Sequence, residues 1–180
     1  MAVVKNTYIR RGKAGNPRAK EALRYMQHRP ERVGERVTRP LFGPDGRWER
    51  VHGYQMIDAA PPGTHFYRMS INPDPATEDH KRDLDLREVT ERTILTLEEI
   101  VDKPVLYVAA VHEAHAENRR HVYLLASVPR RLNTPELKQL TAAATAACLA
   151  QRQEREPVQP SREWEDWERE PELEEDAWSG

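Results

Sequence analysis

Two apolar runs, Val105–His112 and Arg120–Val128, stand on either side of one short polar segment. Runs of this length, rich in Val, Leu, Ala and Tyr and bounded by polar residues, read as buried strands. A connection so short pairs them antiparallel, because a parallel pair needs a long crossover. His112 ends the first run and His121 opens the second, so the two imidazoles face each other across the ladder. Residues two apart on a strand share a face, so His121 and Tyr123 point the same way.

The remaining elements are read around this hairpin. Val3–Arg10 patterns as a strand. Pro17 suits the first turn of a helix running to about His28, with Ala19, Ala22, Leu23 and Met26 on one stripe, stopped by Pro30. Residues 36–51 pattern as a hairpin about the Gly43-Pro44-Asp45-Gly46 turn. Tyr54–Asp58 and His65–Ile71 read as further short strands, split by Pro61-Pro62-Gly63. Asp83–Asp102 is a long amphipathic helix. Thr134-Pro135-Glu136, a hydroxyl cap with proline at N1, starts an Ala-rich helix that fades near Gln151. Strands interrupted by three helices predict an α+β fold, a central antiparallel sheet with helices on one side.

A chain of 180 residues allows one domain and a tail. The expected division is a body over 1–150 and an acidic tail over 151–180. The tail holds three Pro, three Trp and 11 Asp or Glu. It has no apolar stripe to offset its ordering entropy, so it is expected to be disordered. Charge is just as uneven: residues 1–50 carry 13 Lys and Arg against 5 Asp and Glu. A basic N-terminal third suits a polyanion, and equally a solvated surface without a ligand. No apolar run is long enough for a membrane helix, and residues 1–16 lack the core of a secretory signal. Cys148 is the single cysteine, which excludes a disulfide framework and fits a reducing cytoplasm.

Two groups of residues carry chemistry. His112, His115, His121 and Tyr123 lie within one hairpin, and imidazoles converging at a strand mouth suit a divalent metal. Tyr25 lies off the apolar stripe of its helix. Glu21, His28, Arg29 and Arg32 are its same-face neighbours, and Arg18 stands two turns before it. A phenol among cations suits a tyrosine nucleophile attacking a phosphodiester, because the cations hold the phosphate. The plainer readings are loop histidines that merely lie close in sequence, and an amphipathic tyrosine at a helix edge.

Three motifs, in order, are Arg24-Tyr25-Met26-Gln27-His28-Arg29, then Phe66-Tyr67-Arg68-Met69-Ser70-Ile71-Asn72-Pro73-Asp74, then Val111-His112 through His115 to Arg120-His121-Val122-Tyr123-Leu124. Over about residues 1–130 this order resembles the relaxases of the HUH endonuclease superfamily, the mobilisation nickases of conjugative elements. The tyrosine precedes the histidines, as in the relaxase branch.

The resemblance implies a relaxase-like HUH fold and metal-dependent nicking and religation of single-stranded DNA at a nick site. Tyr25 would form a 5′-phosphotyrosine. His112, His121 and His115 would hold Mg²⁺ or Mn²⁺, and Arg18, Arg24, Arg29 and Arg32 would hold DNA phosphates. The departure from the family pattern is Tyr123, which stands where a third histidine would be. That leaves an alternative open, a degenerate relaxase-like protein that binds DNA without cutting it. The tail is open between a solubilising segment, a competitor for the basic face, and a docking signal for a relaxosome or secretion-system protein.

Overall fold

The computed structural model describes residues 1–114 and 119–156. In chain order the elements are β1 (Val3–Arg10), α1 (Gly15–His28), β2 (Leu41–Gly43), β3 (Gly46–Trp48), α2 (Arg50–Ala59), β4 (His65–Asn72), α3 (Leu86–Val101), β5 (Tyr107–Ala114), β6 (Arg119–Val128) and α4 (Thr134–Arg155). The strands form one six-stranded sheet in the order β1-β4-β6-β5-β2-β3, antiparallel throughout. The β5–β6 hairpin lies inside it, which is why both runs are so apolar. The register pairs His112 with His121, as the sequence predicts.

Alternation along the strands sends residues to two separate cores. Val4, Tyr67, Met69, Ile71, Ala109, Val122, Leu124 and Ala126 face α3 and α4, where Val89, Leu97, Leu140 and Ala144 cover them. Ile9, Phe66, Val108 and Leu125 face the other way, under Leu23 and Met26 of α1 and Met56 and Ile57 of α2. Helices therefore flank both faces of the sheet, not one.

The fourth helix is α2, where a strand was predicted over Tyr54–Asp58. Its buried residues are Gly53, Met56 and Ile57, an i, i+3, i+4 pattern that only a helix brings to one side. Glu49 and His52 close a reciprocal cap at its start. A Cβ at Gly53 would run into the Leu23 side chain, so glycine is what lets α2 lie close on α1. Helix α1 begins at Gly15, two residues before Pro17, and a Cβ at Gly15 would collide with the Arg10 carbonyl.

The two helices on the opposite face are capped by side chains. Asp85 accepts from the Arg87 and Glu88 amides at the start of α3. Asn133, one residue before the predicted hydroxyl cap, accepts from the Glu136 amide to start α4. Helix α4 runs on to Arg155. Gln151 is buried and bonds the Asp85 amide at 2.8 Å, so the body extends past the predicted boundary at residue 150. The tail from residue 157 on lies outside the described residues. No helix among the described residues is long and apolar enough to cross a membrane.

Candidate functional site

The sheet face beneath α1 changes character row by row. Ile9 pairs with Phe66 in an apolar row. In the next row Thr7, Arg68, Leu125 and Val108 are aligned, and beyond it Lys5, Ser70, Tyr123 and Ala110. His121 and His112 follow on β6 and β5. The large aliphatic side chains stop at the second row with Leu125 and Val108, and in the third row the small Ala110 still belongs to the core, with Tyr123 packed against it. The other side chains of that row, Lys5 and Ser70, are polar, and α1 carries Tyr25 on this side of the sheet.

The histidine pair sits at the end of this face. The His112 and His121 rings stack at 5.3 Å between centroids, with planes 29° apart. Tyr123 meets both edge-on, at 4.6 Å from His112 and 4.8 Å from His121. His112 is buried, and its Nε2–H donates to the Met26 carbonyl at 2.7 Å. This bond ties β5 to α1, one residue from Tyr25. Burial, with the Arg39 guanidinium nearby, pushes the His112 imidazole down to about 4. It is therefore neutral at pH 7, with its lone pair on Nδ1.

Arg29 links the histidine strand to Tyr25. Its Nη1 donates to the Tyr123 hydroxyl at 2.6 Å, and its guanidinium carbon lies 5.7 Å from the Tyr25 ring centroid and 5.7 Å from that of Tyr123. Just past the end of α1, Arg29 is itself held in place. The buried Arg39 donates to the Arg29 carbonyl at 2.6 Å and pairs with Glu31 at 3.0 Å. Tyr25 is 51% exposed.

The donor chemistry can be tested against a metal. A histidine that ligates a divalent ion through one nitrogen typically donates its other N–H to a carbonyl, the arrangement of His112 on Met26. His121 lies beside it in register. No group of three His, Cys, Asp or Glu residues suited to a metal is formed among the described residues. His115 lies outside them. The Tyr123 hydroxyl already accepts from Arg29. The described residues thus supply two stacked imidazoles, of which His112 has the second bond a metal-ligating histidine would need, and no complete metal site.

Of the residues singled out in the sequence, Tyr25, Arg29, His112, His121 and Tyr123 come together, and Arg18 lines a recess with Tyr25. Arg24 and Arg32 are exposed and line neither recess beside Tyr25. Arg32 lies past the end of α1, where the i+7 spacing no longer describes a helix face. His28 turns away: its ring bonds the Val37 carbonyl at 2.9 Å and the Arg50 guanidinium at 2.6 Å. Sequence reasoning missed Arg68, Lys5, Ser70 and Arg39. A charged residue at an alternating position of an apolar strand, as Arg68 is, was the available signal for one of them.

In comparisons with protein-family models, with curated proteins and with solved structures, no match was found.

Proposed function

We propose that the protein nicks and religates single-stranded DNA through Tyr25, as a relaxase serving plasmid or mobile-element transfer in the cytoplasm. The observation that supports this reading is Arg29, a fixed guanidinium in contact with both the exposed Tyr25 ring and the Tyr123 hydroxyl of the histidine strand. A tyrosine nucleophile needs a cation within reach of its target phosphate, and here the cation is positioned by Arg39 before any ligand arrives.

In the step itself the Tyr25 oxygen bonds to phosphorus and loses its proton. The bond from phosphorus to the 3′ oxygen breaks, and that oxygen takes up a proton. The 5′ phosphate stays on Tyr25, so the reverse attack by the 3′-OH reseals the strand without a nucleotide cofactor. Arg29 donates to the phosphate oxygens as charge builds on them. A divalent ion, Mg²⁺ or Mn²⁺, held by His112, His121 and His115 would polarise the same phosphate.

One observation favours a second reading, a DNA-binding accessory protein that does not cut. Tyr123 puts a phenol beside the two imidazoles, with its hydroxyl already bonded to Arg29. A denaturing gel separates the two. Labelled single strands carrying candidate transfer origins are incubated with Mn²⁺ and wild type, Tyr25→Phe, His121→Ala or Tyr123→Phe. The nickase reading expects a slow-migrating covalent adduct, absent in Tyr25→Phe and strongly reduced in His121→Ala. An adduct that survives Tyr25→Phe and disappears in Tyr123→Phe moves the nucleophile to β6. Tight, salt-sensitive binding without an adduct on any origin supports the accessory protein.

A further inference from the structure

Two recesses meet at Tyr25. One, of about 240 Å³, lies between α1 and the strands β1, β4 and β6, with Lys5, Thr7, Ser70 and Tyr123 along it. The other, of about 290 Å³, runs toward the start of α1, past Arg18, Glu21 and Ile9. Ala22, Tyr25 and Arg68 line both. Arg68 is thus the cation common to the two, across the groove from Tyr25, and it projects from the centre of β4 rather than from a loop.

Among the described residues some cations are paired with a carboxylate and others are not. Lys20 pairs with Asp58, Arg39 with Glu31, Arg120 with Asp79, and Arg130 with Glu136. The side chains of Lys5, Arg18 and Arg68 make no ion pair or hydrogen bond among the described residues, like those of Arg10 and Arg24 nearby, and these three share the groove. Three cations against one carboxylate, Glu21, leave the groove with net positive charge, so a polyanion laid along it is attracted. Lys5 stands opposite Ser70, and Arg68 is two residues before Ser70 on the same face. Such diagonal neighbours lie about 7–8 Å apart, a separation that adjacent phosphates of an extended strand can match.

The walls between the cations are apolar. Met26, Ala22 and Leu125 line the first recess, and the half-exposed Tyr25 ring stands at its mouth. A base that is unpaired and unstacked has an apolar face to bury there, and an aromatic ring to stack on. A duplex offers neither, because its bases are already stacked.

We propose that this groove is a binding track for single-stranded DNA that runs from Arg18 past Tyr25 to Lys5 and Ser70, with Arg68 gripping the phosphate where the two recesses join. The track deepens the nickase reading in naming the polymer as DNA, but it requires no cleavage and no metal. Arg29 and Arg68 then stand at two sides of Tyr25. The first is fixed by Tyr123 and Arg39, and the second is free to close on the backbone.

The test is fluorescence anisotropy in EDTA with a labelled mixed-sequence DNA strand of about 20 nucleotides, over a salt series. Wild type is compared with Arg68→Ala, Arg68→Gln, Lys5→Ala and Lys103→Ala. Lys103 is exposed beyond the end of α3, away from the groove, and matches the change in net charge. All three positions are exposed, and circular dichroism checks that each variant is folded.

The track expects Arg68→Ala and Arg68→Gln to weaken binding on the order of tenfold, as loss of a charge-assisted phosphate contact does. The slope of log K on log salt should shrink by about 0.7 for each groove cation removed. Lys103→Ala should stay within about twofold of wild type, and the corresponding duplex should bind more weakly than the single strand. An Arg68 variant that binds like Lys103→Ala overturns the track, and so does a duplex bound as tightly as the strand. The nickase reading fails separately. Weakened binding by Arg68→Ala with no covalent adduct from wild type keeps the track and removes the nickase. An adduct from wild type, with Arg68→Ala binding unchanged, does the opposite.

Discussion

The two faces of the sheet are built from the same strands and have different fates. Toward α3 and α4, β4 contributes Tyr67, Met69 and Ile71, and β6 contributes Val122, Leu124, Ala126 and Val128, all buried. Toward α1 and α2, the same two strands contribute Phe66 and Leu125, then Arg68, Ser70, Tyr123 and His121. One face is apolar along its whole length, and the other turns polar past the row of Leu125, where Ser70 and His112 are buried beside Ala110. Because side chains alternate, a strand can hold the fold together through one set of positions while the other set stays available for chemistry. Stability and binding should then respond to different substitutions on neighbouring residues.

The largest effect is expected on the apolar face. Leu97 of α3 is fully buried in the larger core. Leu97→Ala should cost about 2–5 kcal/mol, from lost burial and the cavity left behind. Urea unfolding would measure it. The fraction still folded should bind single-stranded DNA like wild type. A matching loss of affinity per folded molecule would break the separation of the two faces.

The next effect lies on the other face and depends on pH. Buried among cations, His112 is held neutral, its folded-state value of about 4 lying well below its ordinary one. The unfolded chain therefore binds a proton that the folded chain refuses. Stability from this group is fully present above about pH 6.5, and is lost as pH falls from there to about 4, by about 3 kcal/mol at most. Melting temperatures measured across this range should fall steeply in wild type. His112→Gln, which keeps a donor for the Met26 carbonyl but does not titrate, should have a flatter profile. Parallel profiles would show that His112 is not held neutral by its burial.

These contrasts were only partly legible in the sequence. The β5–β6 hairpin and its His112–His121 register followed from two apolar runs and the two-residue period, which need no tertiary information. Helix α2 was lost because Tyr54, Met56 and Ile57 suggest a strand to a propensity reading. The burial that makes them helical is supplied by Leu23 and by the close approach at Gly53. That helices would cover both faces was hidden for a similar reason, since an apolar stripe does not say which side of a sheet it meets. Arg39 could not be found at all, because its role is a bond to the Arg29 carbonyl across an irregular segment.

The smallest predicted effect concerns two arginines of one helix, Arg18 and Arg24, which the sequence treated alike. Both are exposed on α1, and each carries one charge. Arg18 is seven residues before Tyr25 and shares its recess, whereas Arg24 is its neighbour in sequence and lines neither recess. Adjacent helical residues point about 100° apart, so proximity in sequence is not proximity on the surface. Arg18→Ala should weaken single-strand binding about fivefold and reduce the salt slope, while Arg24→Ala should stay within about twofold of wild type. The same anisotropy titration reads both. Equal losses would mean that the DNA senses the summed field of a basic helix, for which the position of a charge matters little. Unequal losses in the stated order would tie binding to the groove, where a strand in contact with Arg18 must also pass Tyr25.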